Sequence, residues 1–409
     1  MEALGAKSAA PLFSPQFLQD PYPTYRQHLE GPLVQPLEGL QNRWAVFRYA
    51  ICSNFLRDPR LSATRPPRML VSDVPDAGLP EFDDLGAHLN RWLLLLDAPA
   101  HTRLRKLMNK GFAPLTIERL RPRIEEIVQR LVQRMESSAD PDVVRDVAYP
   151  LPVYVISDLL GLPASLHERC ITLTNDIAVW FGNPWRTAES ARRAQQATRE
   201  LTGYFDTIIR EHDGARGGDL LSLLLDIADD EDQKMTTDEL HAQCVMLLFA
   251  GHETTRNLIG NGMYTLLTHP EALADLRAES DLVRGAVEEV LRFESPVQGV
   301  ARITKTAIEI EGVQVPAGAS IVFMTAAAQR DPQQFEEPDR FDIRRRHNRH
   351  LAFGGDHHVC LGSILARLEG QIAIEALVSR FPSLQLADDR LEWVPNFALR
   401  GLRSLRVRL

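Results

Sequence analysis

The sequence contains few cysteines, and their spacing forms no disulfide pattern. Four cysteines occur among 409 residues, and they stand far apart at positions 52, 170, 244 and 360. Disulfide frameworks belong to oxidising compartments and to clustered cysteines. The sparse pattern therefore excludes a disulfide-stapled secreted domain and predicts a reducing, cytoplasmic location.

Long apolar runs and an excess of basic residues are also missing. Residues 1–7 lack the apolar core of a signal peptide, and the apolar run at 92–96 is far shorter than the ~20 residues that cross a bilayer. The net charge of −9 argues against a nucleic-acid binder, which needs a dominant basic face. We therefore expect neither a membrane nor a nucleic acid as partner.

Helical periodicity dominates what is present. With 44% hydrophobic and 25% charged residues, the chain can bury a large core. Apolar residues recur at helical spacing over many segments, while strand-like alternation is rare and residues 64–89 are predicted to form a long loop. The helical segments are 99–135, 153–160, much of 164–212, 237–268 and 281–294, and the alternating ones are 43–49, a hairpin around Glu311-Gly312, and 405–409. The pattern predicts a mainly helical protein with a minor antiparallel sheet and no linker between domains.

A cysteine loop near the C-terminal end carries the most specific chemistry. Residues 350–362 read His-Leu-Ala-Phe-Gly-Gly-Asp-His-His-Val-Cys-Leu-Gly, and a helical pattern follows at once. A sulfur at a helix N-terminus meets free N–H groups and the positive end of the helix dipole, which favour thiolate and lower the thiol pKa. Cys360 therefore suits a nucleophile or an axial metal ligand. A zinc site formed by His357, His358 and Cys360 lacks a second ligand cluster.

Three further motifs accompany this loop. They are Ala-Gly-His-Glu-Thr-Thr at 250–255, Glu-Val-Leu-Arg at 289–292 and Pro-Asp-Arg-Phe at 338–341. Glu289 and Arg292 are one helical turn apart, so their charges can pair on one face. With Phe353, Cys360 and Gly362 in the loop, the chain resembles the soluble bacterial members of the cytochrome P-450 family over essentially its whole length.

The resemblance implies a mainly α cytochrome P-450 fold, with a triangular helical body, a long central helix and small antiparallel β-sheets. It also implies haem b (iron protoporphyrin IX), with Cys360 as the axial ligand whose thiolate favours O–O cleavage. Residues near 101, 254, 289, 302 and 360 must then converge on one cofactor, so we expect a single domain over 1–409. The other residues assigned by resemblance are Phe353 and Gly251 beside the haem, His101, Arg105, Arg302 and His358 as partners of its propionates, and Arg340 as the third member of a structural triad with Glu289 and Arg292.

Oxygen handling falls to the motif at 250–255. Gly251 leaves room against a flat cofactor, and the Thr254 hydroxyl is placed to compete for the carbonyl of Ala250, which predicts a local bulge in the helix. By resemblance, Glu253 and Thr254 are the catalytic pair that governs proton delivery during O2 reduction. An intact pair disfavours dedicated use of peroxide.

The substrate and the electron donor follow less directly. The family leans towards secondary metabolites such as polyketides, terpenoids or peptides, some of them bound to a carrier protein. The resemblance assigns apolar residues to the substrate pocket, namely Leu93, Leu94, Trp180, Phe181, Trp185, Met246, Ala250, Val297, Val300 and Phe397. No nicotinamide, flavin or Fe–S motif is fused to the chain, so NAD(P)H electrons are expected through an external ferredoxin or flavodoxin. The basic run 344–349 is either a docking patch for that partner or a solvated turn.

The leading hypothesis is a monomeric, O2-dependent monooxygenase (EC 1.14) that hydroxylates or epoxidises an apolar substrate. One alternative is a haem-thiolate enzyme with another outcome, such as peroxide-driven oxidation, oxidative coupling or desaturation. The other is a haem-binding protein without catalysis. One departure from the family pattern is Asp356, which stands where a second glycine is usual. Asp tolerates left-handed backbone, and its carboxylate could lower the haem potential, pair with His357 or pair with the basic run.

Overall fold

Helices account for most of the computed structural model of this chain, which describes residues 11–37, 40, 42–65, 79–183, 186–212, 220–228, 235–388 and 391–409. Short 3₁₀ turns and one π turn at Val144–Ala148 connect some of the helices. The α-helices, in chain order, are α1 Pro15–Gln19, α2 Tyr22–Glu30, α3 Tyr49–Phe55, α4 Asp83–Leu89, α5 Ala100–Gly111, α6 Pro114–Glu118, α7 Arg121–Glu136, α8 Pro150–Leu159, α9 His167–Phe181, α10 Ala188–His212, α11 Leu220–Ala228, α12 Thr237–Thr268, α13 Pro270–Ala278, α14 Val283–Phe293, α15 Thr325–Ala328 and α16 Ser363–Arg380.

The long helix α12 is the centre of the helical body. It begins with a capping box, in which the Thr236 hydroxyl accepts from the N–H of Glu239 at 3.2 Å and the Glu239 carboxylate accepts from the N–H of Thr236 at 2.9 Å. It packs against α8, α9, α10, α14 and α16, and side chains on all of its faces are buried. A helix that is buried all round must lie inside the protein, so the predicted segment 237–268 is confirmed as the central helix.

The strands form one larger sheet and two small ones. They are β1 Val34–Pro36, β2 Arg43–Val46, β3 Leu61–Ser62, β4 Val300–Thr304, β5 Ile308–Ile310, β6 Val313–Val315, β7 Ser320–Phe323, β8 Gln385–Leu386 and β9 Val407–Arg408. The larger sheet has the order β1-β2-β7-β4-β3. Its β2 and β7 run parallel, which corrects the expectation of antiparallel sheets alone. Parallel strands need a long crossover connection between them. Alternation of residues within one strand does not show whether its neighbour runs parallel or antiparallel.

The predicted hairpin is confirmed in β5 and β6, whose register pairs Ile310 with Val313. Glu311 and Gly312 form its two-residue turn with φ of 51° and 78°, the left-handed conformation that such turns need. The strand expected at 405–409 shrinks to β9, which pairs with β8.

The predicted loop at 64–89 is wrong at its end, because α4 covers Asp83–Leu89 after a 3₁₀ turn at Leu79–Phe82. Asp83 and Asp84 lie in its first turn, where acids favour the helix dipole, and Leu85 and Leu89 are buried one turn apart. Two apolar positions are too few to produce a periodic signal. The stretch 66–78 lies outside the described residues.

The main core fills the space around α12 and its neighbours, and a second apolar cluster lies under the larger sheet. In the described part of the chain, no helix combines the length and apolarity that crossing a bilayer would require. The helices around α12 build the main core, and strands of the larger sheet contribute to the second cluster. The cysteine loop leads directly into α16.

Candidate active site

The cysteine loop is fixed by a backbone hydrogen bond and by two residues in the left-handed conformation. The N–H of Cys360 donates to the carbonyl of Phe353 at 2.9 Å, which closes the loop on itself. Gly354 has φ of 70° and Asp356 has φ of 57°, so both lie in the left-handed region. The Asp356 carboxylate bonds the ring of His357. Of the alternatives for Asp356, the structure shows the pairing with His357.

Cys360 differs from the other three cysteines, which are buried, because its side chain is exposed. Desolvation by the surrounding protein nevertheless raises the pKa of the Cys360 thiol, although the Gly362 N–H and the cations Arg105 and Arg367 act to lower it. The expected lowering of this pKa by the helix start is therefore wrong for the polypeptide by itself. A metal cation bound to the sulfur would stabilise the thiolate, because a coordinating thiol is deprotonated outright.

Two histidines beside the loop have ring nitrogens without hydrogen-bond partners. Both ring nitrogens of His101 and Nε2 of His358 are buried and unpaired, and the two ring centroids are 4.1 Å apart. Burial, followed by neighbouring cations, lowers the pKa of His101 to about 4 and that of His358 to about 3. Buried polar atoms are normally satisfied, so these donors point to an acceptor such as a carboxylate.

Two arginines complete this group. Nη1 of Arg105 donates to the carbonyl of Val359 at 2.6 Å, which ties α5 to the cysteine loop. Arg302 is only 8% exposed and donates to the carbonyl of Ala301 at 2.9 Å. Burial lowers the pKa of Arg302 to about 10. Two carboxylates of a haem would meet two histidines and two arginines here, so the chain's donor set fits that group.

Behind the cysteine loop, a buried ion pair lies within α14, and its arginine also bonds the segment that leads into the loop. Arg292 donates to both carboxylate oxygens of Glu289, at 2.8 and 2.7 Å, and neither side chain is exposed to solvent. Arg292 also donates to three backbone carbonyls, those of Gln329, Pro338 and Arg340. The pairing expected for Glu289 and Arg292 is present.

The third arginine of this group is Arg345 and not the predicted Arg340. Arg345 Nε donates to both oxygens of Glu289, at 3.1 and 3.2 Å. The side chain of Arg340 is 63% exposed and pairs with Glu337, while only its carbonyl reaches Arg292. The turn after Pro338 directs the Arg340 backbone inward and its side chain outward. Sequence spacing could not distinguish these two arginines.

Ion pairs also reduce the free positive charge of the basic run at 344–349. Arg344 pairs with Asp275 and Glu279, and Arg345 is held by Glu289. Arg346 and Arg349 are exposed. Only part of the run is therefore available as a free positive surface beside the cysteine loop.

On α12, Glu253 and Thr254, the predicted catalytic pair, are held by different contacts. The Thr254 hydroxyl donates to the carbonyl of Ala250 at 2.8 Å, as its spacing predicts. The expected bulge is absent. The helix α12 runs without interruption from Thr237 to Thr268. A Cβ on Gly251 would meet only Ile156, at 3.6 Å. The protein itself therefore leaves room for a methyl group at that position.

Glu253 is buried with a single ionic partner. One of its oxygens accepts from Arg256 at 2.7 Å, and the other, Oε2, has no hydrogen-bond partner. Arg256 is fixed in turn by the carbonyl of Leu402 and by the ring of Tyr149, 4.5 Å from its guanidinium carbon. The carboxylate therefore has one anchored oxygen and one oxygen free to accept a proton.

The structure places the residues expected to line the substrate pocket in different surroundings. Phe181 and Phe397 line a cavity of about 290 Å³. Trp180 is fully buried and is not among the described residues that line this cavity, so its assignment to the substrate pocket stays a prediction. Leu93, Met246, Ala250, Val297 and Val300 are buried or half-buried, Leu94 is exposed, and Trp185 lies outside the described residues.

An aromatic cluster that sequence reasoning missed lies on the same side of α12. The ring of Trp92 is 6.2 Å from that of Phe181 and 5.3 Å from that of Phe249, measured between centroids. Phe249 precedes Ala250 directly, so the cluster joins the start of the 3₁₀ turn at Leu93–Leu95 to α12. The apolar run at 92–96 contained this signal, but its contacts depend on the fold.

The zinc alternative has no geometric support. In the part of the chain that the structure covers, no group of three or more His, Cys, Asp or Glu side chains could hold a metal ion. Near Cys360 lie arginine and imidazole donors, which could hold the carboxylates of a cofactor.

Comparison with known proteins agrees with this site. The family model described as cytochrome P450 matches residues 74–396, so the chain belongs to the cytochrome P450 family. Members of this family are haem-thiolate monooxygenases that use O2 and electrons from a reductant. The fold and the position of Cys360 agree with that class.

Particular relatives cover nearly the whole chain. It is 41% identical over 400 residues to cytochrome P450 monooxygenase PikC of Streptomyces venezuelae, covering 96% of this chain and 92% of that one. It is 37% identical to 6-deoxyerythronolide B hydroxylase of Saccharopolyspora erythraea, covering 97% and 98%. Among solved structures, P450BioI in complex with hexadec-9Z-enoic acid ligated acyl carrier protein has a TM-score of 0.88 at 35% identity, covering 96% and 100%. CalO2 has a TM-score of 0.89 at 32% identity, covering 98% and 99%.

Proposed function

We propose that this enzyme inserts one atom of O2 into an apolar secondary metabolite, by hydroxylation or epoxidation, in the cytoplasm. The observation that carries the proposal is the exposed Cys360 beside the unpaired ring nitrogens of His101 and His358. Support for the substrate class comes from relatives whose names include a 6-deoxyerythronolide B hydroxylase and a polyketide biosynthesis cytochrome P450.

The chain's own residues would hold haem b by three kinds of contact. Cys360 would supply the thiolate ligand, Arg105, Arg302, His101 and His358 would donate to the two propionates, and Phe353 would pack near the sulfur. Arg367 lies 4.4 Å from the centroid of the Phe353 ring and keeps that ring in place. Once bound, the haem supplies the iron at which O2 is reduced, and its thiolate ligand favours cleavage of the O–O bond.

The residues of α12 manage protons. The Thr254 hydroxyl can donate and accept at once, so it can exchange its bond to Ala250 for one to a water or a bound ligand. Oε2 of Glu253 can take a proton while its other oxygen stays anchored on Arg256. Proton transfer needs such positioned groups within hydrogen-bond reach of the proton, directly or through one water.

We propose further that the enzyme acts as a monomer of one domain and receives NAD(P)H electrons through a separate ferredoxin or flavodoxin. No electron-transfer motif is fused to the sequence, and Arg346 and Arg349 are exposed close to the cysteine loop. A single 46.0 kDa species in sedimentation would agree with the monomer, and a stable larger species would contradict it.

The CO difference spectrum of the reduced protein tests the haem-thiolate assignment. Wild type is expected to show the thiolate signature, and Cys360→Ser to lose it, because an alcohol does not replace a thiolate as ligand. Cys170→Ala is the matched control, since Cys170 is a buried cysteine of α9. An unchanged spectrum in Cys360→Ser would refute the assignment.

A further inference from the structure

Beside the cysteine loop, a carboxylate on α14 holds a histidine and an arginine at once. Glu288 accepts from Nε of Arg367 at 2.6 Å and from its Nη2 at 3.0 Å. It also accepts from Nε2 of His350, at 3.0 Å. His350 is the first residue of the cysteine loop, and Arg367 lies on α16, the helix that follows the loop. Glu288 therefore ties both ends of the loop to α14.

The hydrogen bonds fix the charge of each member of this group. Nδ1 of His350 accepts from the N–H of Ala352 at 3.3 Å, so the ring proton lies on Nε2, which donates it to Glu288. An imidazole that accepts at one nitrogen and donates at the other is neutral. Burial acts to raise the pKa of Glu288, but the bonds from His350 and Arg367 lower it to about 2. The group therefore pairs one anion with one cation, and His350 adds no charge.

The cation of this pair lies next to the residue that closes the loop. The central carbon of the Arg367 guanidinium is 4.4 Å from the centroid of the Phe353 ring, within the range of a cation–π contact. The carbonyl of Phe353 accepts from the N–H of Cys360 at 2.9 Å. His350 contacts the same ring, with centroids 5.8 Å apart. Through this stack the positive charge of Arg367 is held near the Cys360 sulfur, on which it acts directly.

A fixed cation beside a thiolate ligand affects the electron affinity of the iron that the thiolate binds. An added electron makes the iron–thiolate unit more negative, and a nearby positive charge favours the more negative state. Groups around a ligand are one of the means by which proteins set the reduction potential of a metal. Glu288 opposes Arg367, because its charge acts on the same ligand with the opposite sign.

We propose that Arg367 raises the reduction potential of a haem ligated by Cys360, and that Glu288 and His350 are positioning residues that hold it there. The inference rests on the proposed ligation of haem by Cys360 and adds how the surroundings of the loop set the potential. Arg367 and Glu288 then act as two opposed charges. A purely structural role predicts another result, since loss of either partner breaks the same hydrogen bonds.

Potentiometric titration of the haem-loaded protein, monitored by absorbance, tests the proposal without turnover. Arg367→Gln is expected to lower the potential, because it removes the cation and leaves the anion. Glu288→Gln is expected to raise it, because it removes the anion and leaves the cation. Each change should alter the equilibrium constant for reduction by about threefold to tenfold, and tenfold corresponds to about 59 mV for a one-electron couple.

Two further variants separate charge from structure. The double variant Arg367→Gln/Glu288→Gln removes both charges and should have a potential near that of wild type. Arg367→Lys keeps the positive charge but loses the planar stack and the two-pronged bond to Glu288, so its potential should also stay near that of wild type. If Arg367→Gln fails to load haem, a raised potential in Glu288→Gln and an unchanged one in Arg367→Lys still support the proposal.

A second ion pair on the same helix is the matched control. Arg380, the last residue of α16, pairs with Glu136 of α7 at 2.7 Å. Arg380→Gln and Glu136→Gln should leave the potential unchanged. Shifts of the same sign in Arg367→Gln and Glu288→Gln, or no shift in Glu288→Gln, would overturn the proposal. The thiolate spectrum of each variant is recorded first, so a failure of the haem-thiolate assignment and a failure of this inference are distinguishable.

Discussion

In the part of the chain that the structure describes, the Glu289 side chain behind the cysteine loop accepts hydrogen bonds from four different groups. Its donors are Arg292, Arg345, the N–H of Asp342 and the amide of Asn348. A buried carboxylate is stable only when such donors surround it. The carboxylate thereby fixes the chain at 342–348, a few residues before the loop that presents Cys360.

This contact set predicts opposite behaviour for two nearby arginines. Arg345→Gln should lower the free energy of unfolding by about 1.5–3 kcal/mol, because it removes hydrogen bonds to a buried charge. Arg340→Gln should leave it unchanged within error, since the Arg340 side chain forms an exposed pair with Glu337. Urea unfolding monitored by circular dichroism measures both variants. A larger loss in Arg340→Gln would restore that residue as the third member of the triad.

The Thr254 hydroxyl is expected to control coupling rather than haem binding. Thr254→Ala should retain the CO spectrum but yield less product and more H2O2 per NAD(P)H consumed. The matched control is Thr202→Ala, whose hydroxyl makes the same 2.8 Å contact with the carbonyl four residues earlier in α10. Coupling in Thr254→Ala equal to that of wild type would exclude a role for Thr254 in proton delivery.

At the scale of elements, α14 meets the segment before the cysteine loop at Gly285. A Cβ at this position would lie closer than 3.0 Å to the backbone carbonyl of Ile343. A backbone atom cannot move aside as a flexible side chain can, so the close approach of α14 requires glycine here. This contact brings Glu289 on α14 within reach of Arg345.

Gly285→Ala is therefore expected to destabilise the fold by about 1–3 kcal/mol, since it forces the two segments apart. Haem loading, measured as the Soret-to-280 nm absorbance ratio, should fall with it. Gly203→Ala in α10 is the control, because nothing lies within 4 Å of its added Cβ and alanine favours a helix interior by about 0.5–1 kcal/mol. Equal stability of the two variants would contradict the close approach.

At the scale of the whole molecule, the charge of the surface decides how an electron donor could approach. The chain is acidic overall, with a net charge of −9, and exposed Arg346 and Arg349 stand near the cysteine loop. An acidic ferredoxin would be repelled by most of the surface and attracted to this part. The surface around the cysteine loop is therefore the expected docking face for the electron donor.

Arg346→Glu is expected to slow ferredoxin-driven turnover several-fold at low ionic strength and to have less effect at high salt. The same reversal at Arg408, an exposed arginine in β9, should leave the rate unchanged. Stopped-flow reduction of the haem measures both variants. An unaltered rate at low salt would favour the alternative in which the basic run is a solvated turn.

Local patterns were sufficient for much of the architecture and for the chemistry of single motifs. The apolar spacing over 237–268 predicts the bounds of α12, and the Glu311-Gly312 turn predicts the β5–β6 hairpin, because helical periodicity and tight turns depend on residues close in sequence. The spacing of Thr254 to Ala250 and of Glu289 to Arg292 is likewise local. Both elements and both contacts are present in the structure.

The sequence alone therefore determined the mainly helical class and the long central helix, and it predicted Cys360 as the haem ligand. Tertiary structure alone decided that Arg345 and not Arg340 meets Glu289, that β2 and β7 run parallel, and that Trp180 is fully buried. Each of these depends on which distant segments meet and on which way a side chain points. Periodicity within one segment carries no such information, since it fixes faces and not the neighbours that cover them.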